Sequence, residues 1–415
     1  MQGVRLEDLV ADQREQFIAR DCGIAREVDL DRVMQTPQIV VFSGVRRCGK
    51  STLLRQVAER CKGEFHYLNL DDERLFGFTL SDFDGLMLAF SRMSDARTIL
   101  LDEIQNVEQW ERFVRRIHDD GYKIFLTGSN AELLSSELGT RLTGRHSLVE
   151  LFPFSFPERL VFQGVDASRR STAGKAAILN VFDRYMEEGG FPEFLQYNDR
   201  EFLTRTYEDV LHRDILTRFG IRDVRAFQRL AHYVFTNFTS EMSYNATSKA
   251  LSIPSPGTVR DYIGCLEQSY LAFEVFKYDF SLKKQYVSNK KAYVIDNGMR
   301  NMVAFRFSKD RGRLLENAVF LHLRRRGEEI FFYRDKVECD FIVVDRGQVM
   351  AAYQVCFDLN EENLDREIRG LQSALEQFDL QRGTILTYNQ EGIEELPGGR
   401  QADIVPVWRW MLENS

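Results

Sequence analysis

The sequence has no apolar run near the ~20 residues that a bilayer-crossing helix requires, so no membrane partner is expected. The opening residues, Met1 to Phe17, are polar and acidic, and no secretory leader is expected of them. There is no CxxC pair. The six cysteines, at 22, 48, 61, 265, 339 and 356, stand far apart without metal-ligand spacing, which points to reduced thiols in a cytoplasmic protein. Positive charge is also in deficit: Lys and Arg number 55 against 63 Asp and Glu, a formal net charge of −8. Wholesale coating of nucleic acid is thereby excluded, although the charge is unevenly spread. From Phe276 to Arg326 there are thirteen Lys and Arg against four Asp and Glu; from Phe357 onward, five Arg face twelve acids.

What is present is an ordinary globular composition, 44% hydrophobic and 28% charged, in 415 residues. That length is too great for one core, and two or three domains follow.

The strongest motif is Gly44-Val45-Arg46-Arg47-Cys48-Gly49-Lys50-Ser51, which fits GxxxxGK[ST] at every fixed position. An apolar run, Gln38 to Ser43, precedes it as a buried strand would, and a helical pattern from Ser51 and Thr52 to Arg60 follows. Such a loop wraps phosphate with backbone amides at a helix N-terminus. Lys50 is expected at the β- and γ-phosphates of ATP, Ser51 on Mg²⁺, and residues 44 to 52 around the nucleotide. A second apolar strand ends in Asp102-Glu103. Asp102 suits the Mg²⁺-holding role and Glu103 the base that polarises the attacking water. A third strand, Lys123 to Thr127, leads to Asn130, a candidate for orienting that water, with Ser129 second. Arg145, and less so Arg141, could supply charge to a γ-phosphate bound by a neighbouring subunit of an oligomer.

Further on the pattern changes. Tyr244 to Leu251 and a helix beginning at Pro256, capped by Ser255, have the rhythm of a helix-turn-helix. Thr258, Arg260 and Asp261 face outward from it, and wing strands from Ala272 and from Lys290-Lys291 would flank Lys283 and Lys284 among aromatic residues. Those residues are candidates for contact with double-stranded DNA; a module that binds only protein is the alternative.

Taken in order, Arg46 to Lys50, Leu101 to Gln105, Leu126 to Asn130, Leu142 to Arg145 and Phe152 to Glu158 resemble the prokaryotic AAA+-type ATPases with a C-terminal domain of unknown function. Glu188 to Pro192, Asp296-Asn-Gly298 and Leu315-Glu316-Asn317 resemble landmarks of that family's second half. The resemblance implies an α/β chain in three parts. A P-loop AAA-type domain with a parallel sheet spans 1–158. A helical and winged-helix-like domain spans 159–310, and a restriction-endonuclease-like domain 311–415. In the last, Glu316 and Asp340 occupy two metal-binding positions of a nuclease, but Gln354 and Cys356 stand where a carboxylate and a lysine belong. A neutral amide is a weak ligand for hard Mg²⁺, so cleavage is not expected. The function expected is an ATP-hydrolysing, DNA-associated AAA-type ATPase. A nucleotide-gated protein switch is the alternative, and an ATP-dependent nuclease comes behind both.

Overall fold

The computed structural model describes residues 6–128, 142, 144–168, 171–304 and 310–414. The chain divides into two compact units, Met1–Phe152 and Pro153–Ser415.

Five short strands form the first unit's sheet: β1 (Ile39–Ser43), β2 (His66–Asn69), β3 (Thr98–Asp102), β4 (Lys123–Gly128) and β5 (His146–Glu150), in the order β2-β3-β4-β1-β5. Every pairing is parallel. Sheets of this kind are covered on both faces, which is why β1 and β3 read as continuous apolar runs and are buried almost throughout. Helices Leu6–Ala19, Phe83–Met93 and Trp110–Asp119 close one core, with Phe83 stacked on Phe113 at 3.9 Å between ring centroids. Because β4 lies between β1 and β3, the strand leading to the phosphate loop and the strand ending in Asp102 flank it on opposite sides. All three finish at the same sheet edge.

The second unit begins with helices. Phe156–Phe162 opens with a capping box in which Ser155 and Glu158 bond reciprocally. Thr172–Glu188, Pro192–Tyr197, Arg200–Asp209 and Val224–Thr236 follow. One nine-stranded mixed sheet then gathers all the described strands of this unit. Its strands are β6 (Glu241–Met242), β7 (Ala272–Lys277), β8 (Lys290–Val294), β9 (Glu329–Arg334), β10 (Glu338–Asp345), β11 (Gln348–Cys356), β12 (Arg382–Thr387), β13 (Gly392–Leu396) and β14 (Arg400–Pro406). The expected boundary at 310/311 falls within this unit. β7 pairs with β9 through Phe276↔Phe331, so the strands on either side of that boundary share one sheet. The first unit ends at Phe152, and Ser155 and Glu158 cap a helix that opens the second. Between β6 and β7 lie helices Tyr244–Ala250 and Pro256–Gln268; the latter has Pro256 in its first turn and Ser255 accepting from the Thr258 amide at 3.0 Å. No described helix is long and apolar enough to cross a membrane.

Candidate functional site

At the C-terminal end of β1 the chain turns through Gly44 to Gly49 into helix Lys50–Arg60. Gly49 is left-handed, φ 103°, directly before the helix. Gly44 is required by proximity: a Cβ there would lie 2.0 Å from the Leu151 carbonyl oxygen. Cys48 is buried and its thiol donates to that same carbonyl at 3.3 Å, so it anchors the loop and does not face a ligand. Burial pushes the Cys48 thiol above its ordinary range, as expected of an inert packing thiol. Lys50 is buried, with its Nζ 3.0 Å from both the Gly44 and Val45 carbonyl oxygens. Its ammonium therefore lies inside the curl of the loop.

Asp102 closes β3 in an almost fully buried position. Thr127, at the end of β4, donates its hydroxyl to Asp102 and accepts the Glu103 amide at 3.1 Å. Tyr67 donates to the other Asp102 oxygen at 3.4 Å. Burial raises the Asp102 carboxyl above the usual carboxylate range, and the Glu103 charge adds to this; hydrogen bonds from Thr127 and Ser51 and the Lys50 charge oppose it. The Ser51–Asp102 bond joins the phosphate loop to the acid strand. A hydroxyl and a carboxylate held together in a low-dielectric recess are hard oxygen donors suited to Mg²⁺, which normally takes its remaining ligands from phosphate and water. Glu103 itself has left-handed backbone, φ 54°, and Gln105 donates to its carboxylate. A non-glycine residue held in that region costs on the order of 1 kcal/mol, and such strain tends to collect where a side chain must point in one direction.

Two site residues carried no sequence signal. Arg26 donates to the Cys48 carbonyl at 2.9 Å and to the Phe152 carbonyl at 2.7 Å, bracing the loop from a segment upstream of β1. Thr127 is a polar residue ending an apolar strand, a cue that does not reveal its partners. Asn130, Ser129 and Arg141 lie outside the described residues. Arg145 pairs with Asp119, and its carbonyl accepts from the Ile39 amide at 3.0 Å. Ile39 begins β1, whereas the loop leaves its other end. At ~3.3 Å per residue, Arg145 sits at the far end of the strand from the phosphate loop of its own chain.

In the second unit the candidate DNA contacts separate. Lys283 and Lys284 are exposed. Thr258 shares a 3.0 Å hydroxyl bond with Ser255, and Arg260 pairs with Asp261 at 3.3 Å. Lys290 and Lys291 are buried, so their expected contact with phosphate is corrected. They fall on successive positions of β8 and point to opposite faces of the sheet. Lys290 donates to the Tyr286 and Ser288 carbonyls at 2.6 and 2.8 Å. Lys291, 3% exposed, meets Glu338 at 2.7 Å, Glu316 at 3.0 Å and Asp340 at 3.1 Å. Tyr293 donates to Glu316 at 2.7 Å. Burial pushes Glu316 up to about 7, against the opposing pull of Lys291. Gln354 accepts from the Asp340 amide at 3.3 Å and donates to Glu367 at 2.7 Å. Cys356 packs in an apolar cluster with Cys339, Leu371 and Ile385. The four vestigial positions thus lie near one another, with an ammonium among the acids that comes from a strand the motif does not include.

Comparison with known proteins adds the following. Residues 36–160 match the family model described as "AAA domain", and residues 179–310 match a domain of unknown function. An uncharacterized protein of Methanocaldococcus jannaschii is 34% identical over 99% of this chain and 95% of its own length. One of Haemophilus influenzae is 30% identical over 81% of this chain and 88% of its own. The branch-migration motor RuvB of Thermotoga maritima aligns at 15% identity over 65% of this chain and 89% of its own, with a TM-score of 0.28, too loose a superposition to carry an argument.

Proposed function

The chain belongs to the AAA-domain family, with an AAA-type P-loop ATPase fold, and from that membership we propose that it binds and hydrolyses ATP with Mg²⁺. The observation that carries the reading is the recess in which Lys50, Ser51, Asp102 and Glu103 come together from two strands. In it, Lys50 exchanges the Gly44 and Val45 carbonyls for phosphate oxygens, and the amides of residues 45 to 52 surround the phosphates. Ser51 and Asp102 would hold Mg²⁺, which would offset phosphate charge. Glu103 accepts a proton from the attacking water and Thr127 keeps its backbone in place. Arg145, at the far end of β1 in its own chain, suits action on the nucleotide of a neighbouring subunit.

Two variants test the reading. Glu103→Gln is expected to bind MgATP as the wild type does while turnover falls ~10²-fold or more. Lys50→Ala should weaken nucleotide binding itself. Normal hydrolysis by Glu103→Gln would remove that residue from the role of base.

We further propose that nucleotide state governs DNA association by the second unit. The terminal part, with Lys291 seated among its acids and Cys356 in its core, is suited to binding and not to cleavage. Arg260, already held by Asp261, favours a protein-facing role for helix Pro256–Gln268 itself. Turnover stimulated by duplex DNA supports the DNA reading; stimulation only by a protein partner supports the switch.

A further inference from the structure

The connection between β7 and β8 contains a short helix, Leu282–Val287, in which no residue is buried. Phe280 is 75% exposed, Leu282 68%, Tyr286 69% and Val287 76%, four large apolar side chains within eight residues. A helix that buries nothing has little reason to form from its own packing. Here polar anchors beneath it hold it in place. Gln285 donates to the Asp279 carbonyl at 2.6 Å and Ser281 donates its amide to the Asp279 carboxylate at 2.9 Å. At the other end Lys290 donates to the Tyr286 and Ser288 carbonyls, its ammonium resting over the Tyr244 and Phe276 rings at 4.7 and 5.3 Å. Phe280 is backed by Tyr278 at 5.5 Å and Phe378 at 6.3 Å, and Tyr286 leans edge-on against Phe276 at 5.9 Å. The aromatic rings are thus set in position before any partner arrives, with much of their surface in water.

Along the chain the segment itself carries only positive charge, with Asp279 just before it. No acid occurs from Phe280 to Lys291. Lys283 has no hydrogen-bond or ion-pair partner among the described residues, and Lys284 lies 3.7 Å from Asp279 with its side chain 70% exposed. Anchored aromatic faces beside the exposed ammonium groups of Lys283 and Lys284 fit a polyanion whose own flat rings are uncovered. Bases within a duplex are already stacked on one another and offer such rings nothing.

We propose that the β7–β8 connection is a platform for single-stranded DNA, on which unpaired bases stack against Phe280 and Tyr286 while Lys283 and Lys284 hold the phosphates. This rests on the DNA-association reading above and names the form of DNA. The test is fluorescence anisotropy on the full chain with labelled oligothymidylate of about 20 nucleotides, longer than typical single-strand sites of ~4–16. A duplex and an oligouridylate of equal length are measured beside it. Oligothymidylate should bind most tightly. Phe280→Ala with Tyr286→Ala should weaken that binding about tenfold or more and leave duplex affinity unchanged. Lys283→Gln and Lys284→Gln should each reduce the salt slope by about 0.7. All four side chains are exposed, so unchanged thermal unfolding confirms folded variants. Preference for duplex or for oligouridylate, or indifference to the aromatic substitutions, overturns the platform and leaves DNA association standing. Self-association of the wild type that the aromatic variant abolishes also overturns it, making the patch a contact between copies. Absence of salt-sensitive binding to every oligonucleotide removes the parent reading along with it.

Discussion

A buried ionisable side chain reports its surroundings through the proton it refuses or keeps. His322 lies in helix Arg311–Arg325, its ring 4.7 Å from that of Trp410 and its Nε2 without a hydrogen-bond partner among the described residues. Burial, reinforced by the Arg325 and Arg326 charges, pulls its imidazole down to about 3. The sign follows from linkage: the folded chain keeps His322 neutral, whereas the unfolded chain protonates it near 6.5. This contribution to stability is complete above 6.5 and is lost as pH falls toward 3, by at most ~1.4 kcal/mol per pH unit. His322→Phe keeps an aromatic ring beside Trp410 and removes the titration. In urea unfolding at several pH values, the variant should gain on the wild type by roughly 1–2 kcal/mol between about pH 7 and 5. A gap that does not change with pH would mean that His322 takes up its proton in the folded chain. Asp102 shows the opposite disposition. Burial and the Glu103 charge raise its carboxyl against the pull of the Lys50 charge, and a divalent cation would act in the same direction as Lys50.

Among the elements, β8 bears the most on function, because its two lysines do different work on its two faces. Lys290 holds the exposed connection behind it, and Lys291 ties β8 to β10 and to helix Arg311–Arg325. One ammonium against Glu316, Glu338 and Asp340 is a buried arrangement, and removing one partner from such a group typically costs ~3–5 kcal/mol. Lys291→Met is expected to destabilise the second unit by about that amount in chemical unfolding near neutral pH. The deficit should shrink as pH is lowered, since the abandoned carboxylates, Glu316 above all, can then be protonated. A variant as stable as the wild type would mean that water already solvates the cluster. The same element explains why two of the DNA-contact candidates misled: a lysine beside aromatic residues reads alike from sequence whether it faces solvent or three acids.

At the scale of the molecule there are two units, each with its own sheet and its own core. The residues of the proposed nucleotide site, Gly44 to Thr52 with Asp102, Glu103 and Thr127, all lie in the first. Calorimetry should therefore resolve two transitions, of which MgATP raises only one, by ~2.7 kcal/mol when nucleotide is at a hundredfold excess over its dissociation constant. A single transition shifted as a whole would show that the units unfold together.

Much of the first unit was legible in sequence because its chemistry is contiguous. Eight residues from Gly44 to Ser51 must be neighbours in the chain to form an anion nest, and a parallel strand buried on both faces declares itself as an unbroken apolar run. The phosphate loop and the acids at the end of β3 were read in that way, whereas the AAA-type class came from the resemblance of the ordered motifs to a family. Local rules also gave the Ser255 cap and the helix beginning at Pro256. Only the tertiary structure could decide what depends on distant strands meeting. Thr127 joined Asp102 to the Glu103 amide across β3 and β4, Arg26 braced a loop downstream of it, and β7 paired with β9, more than fifty residues on, in one sheet. Lys291 became the partner of acids as many as 49 positions away. Local propensity carries no record of such encounters, because their energy exists only once the chain has closed the loops between them.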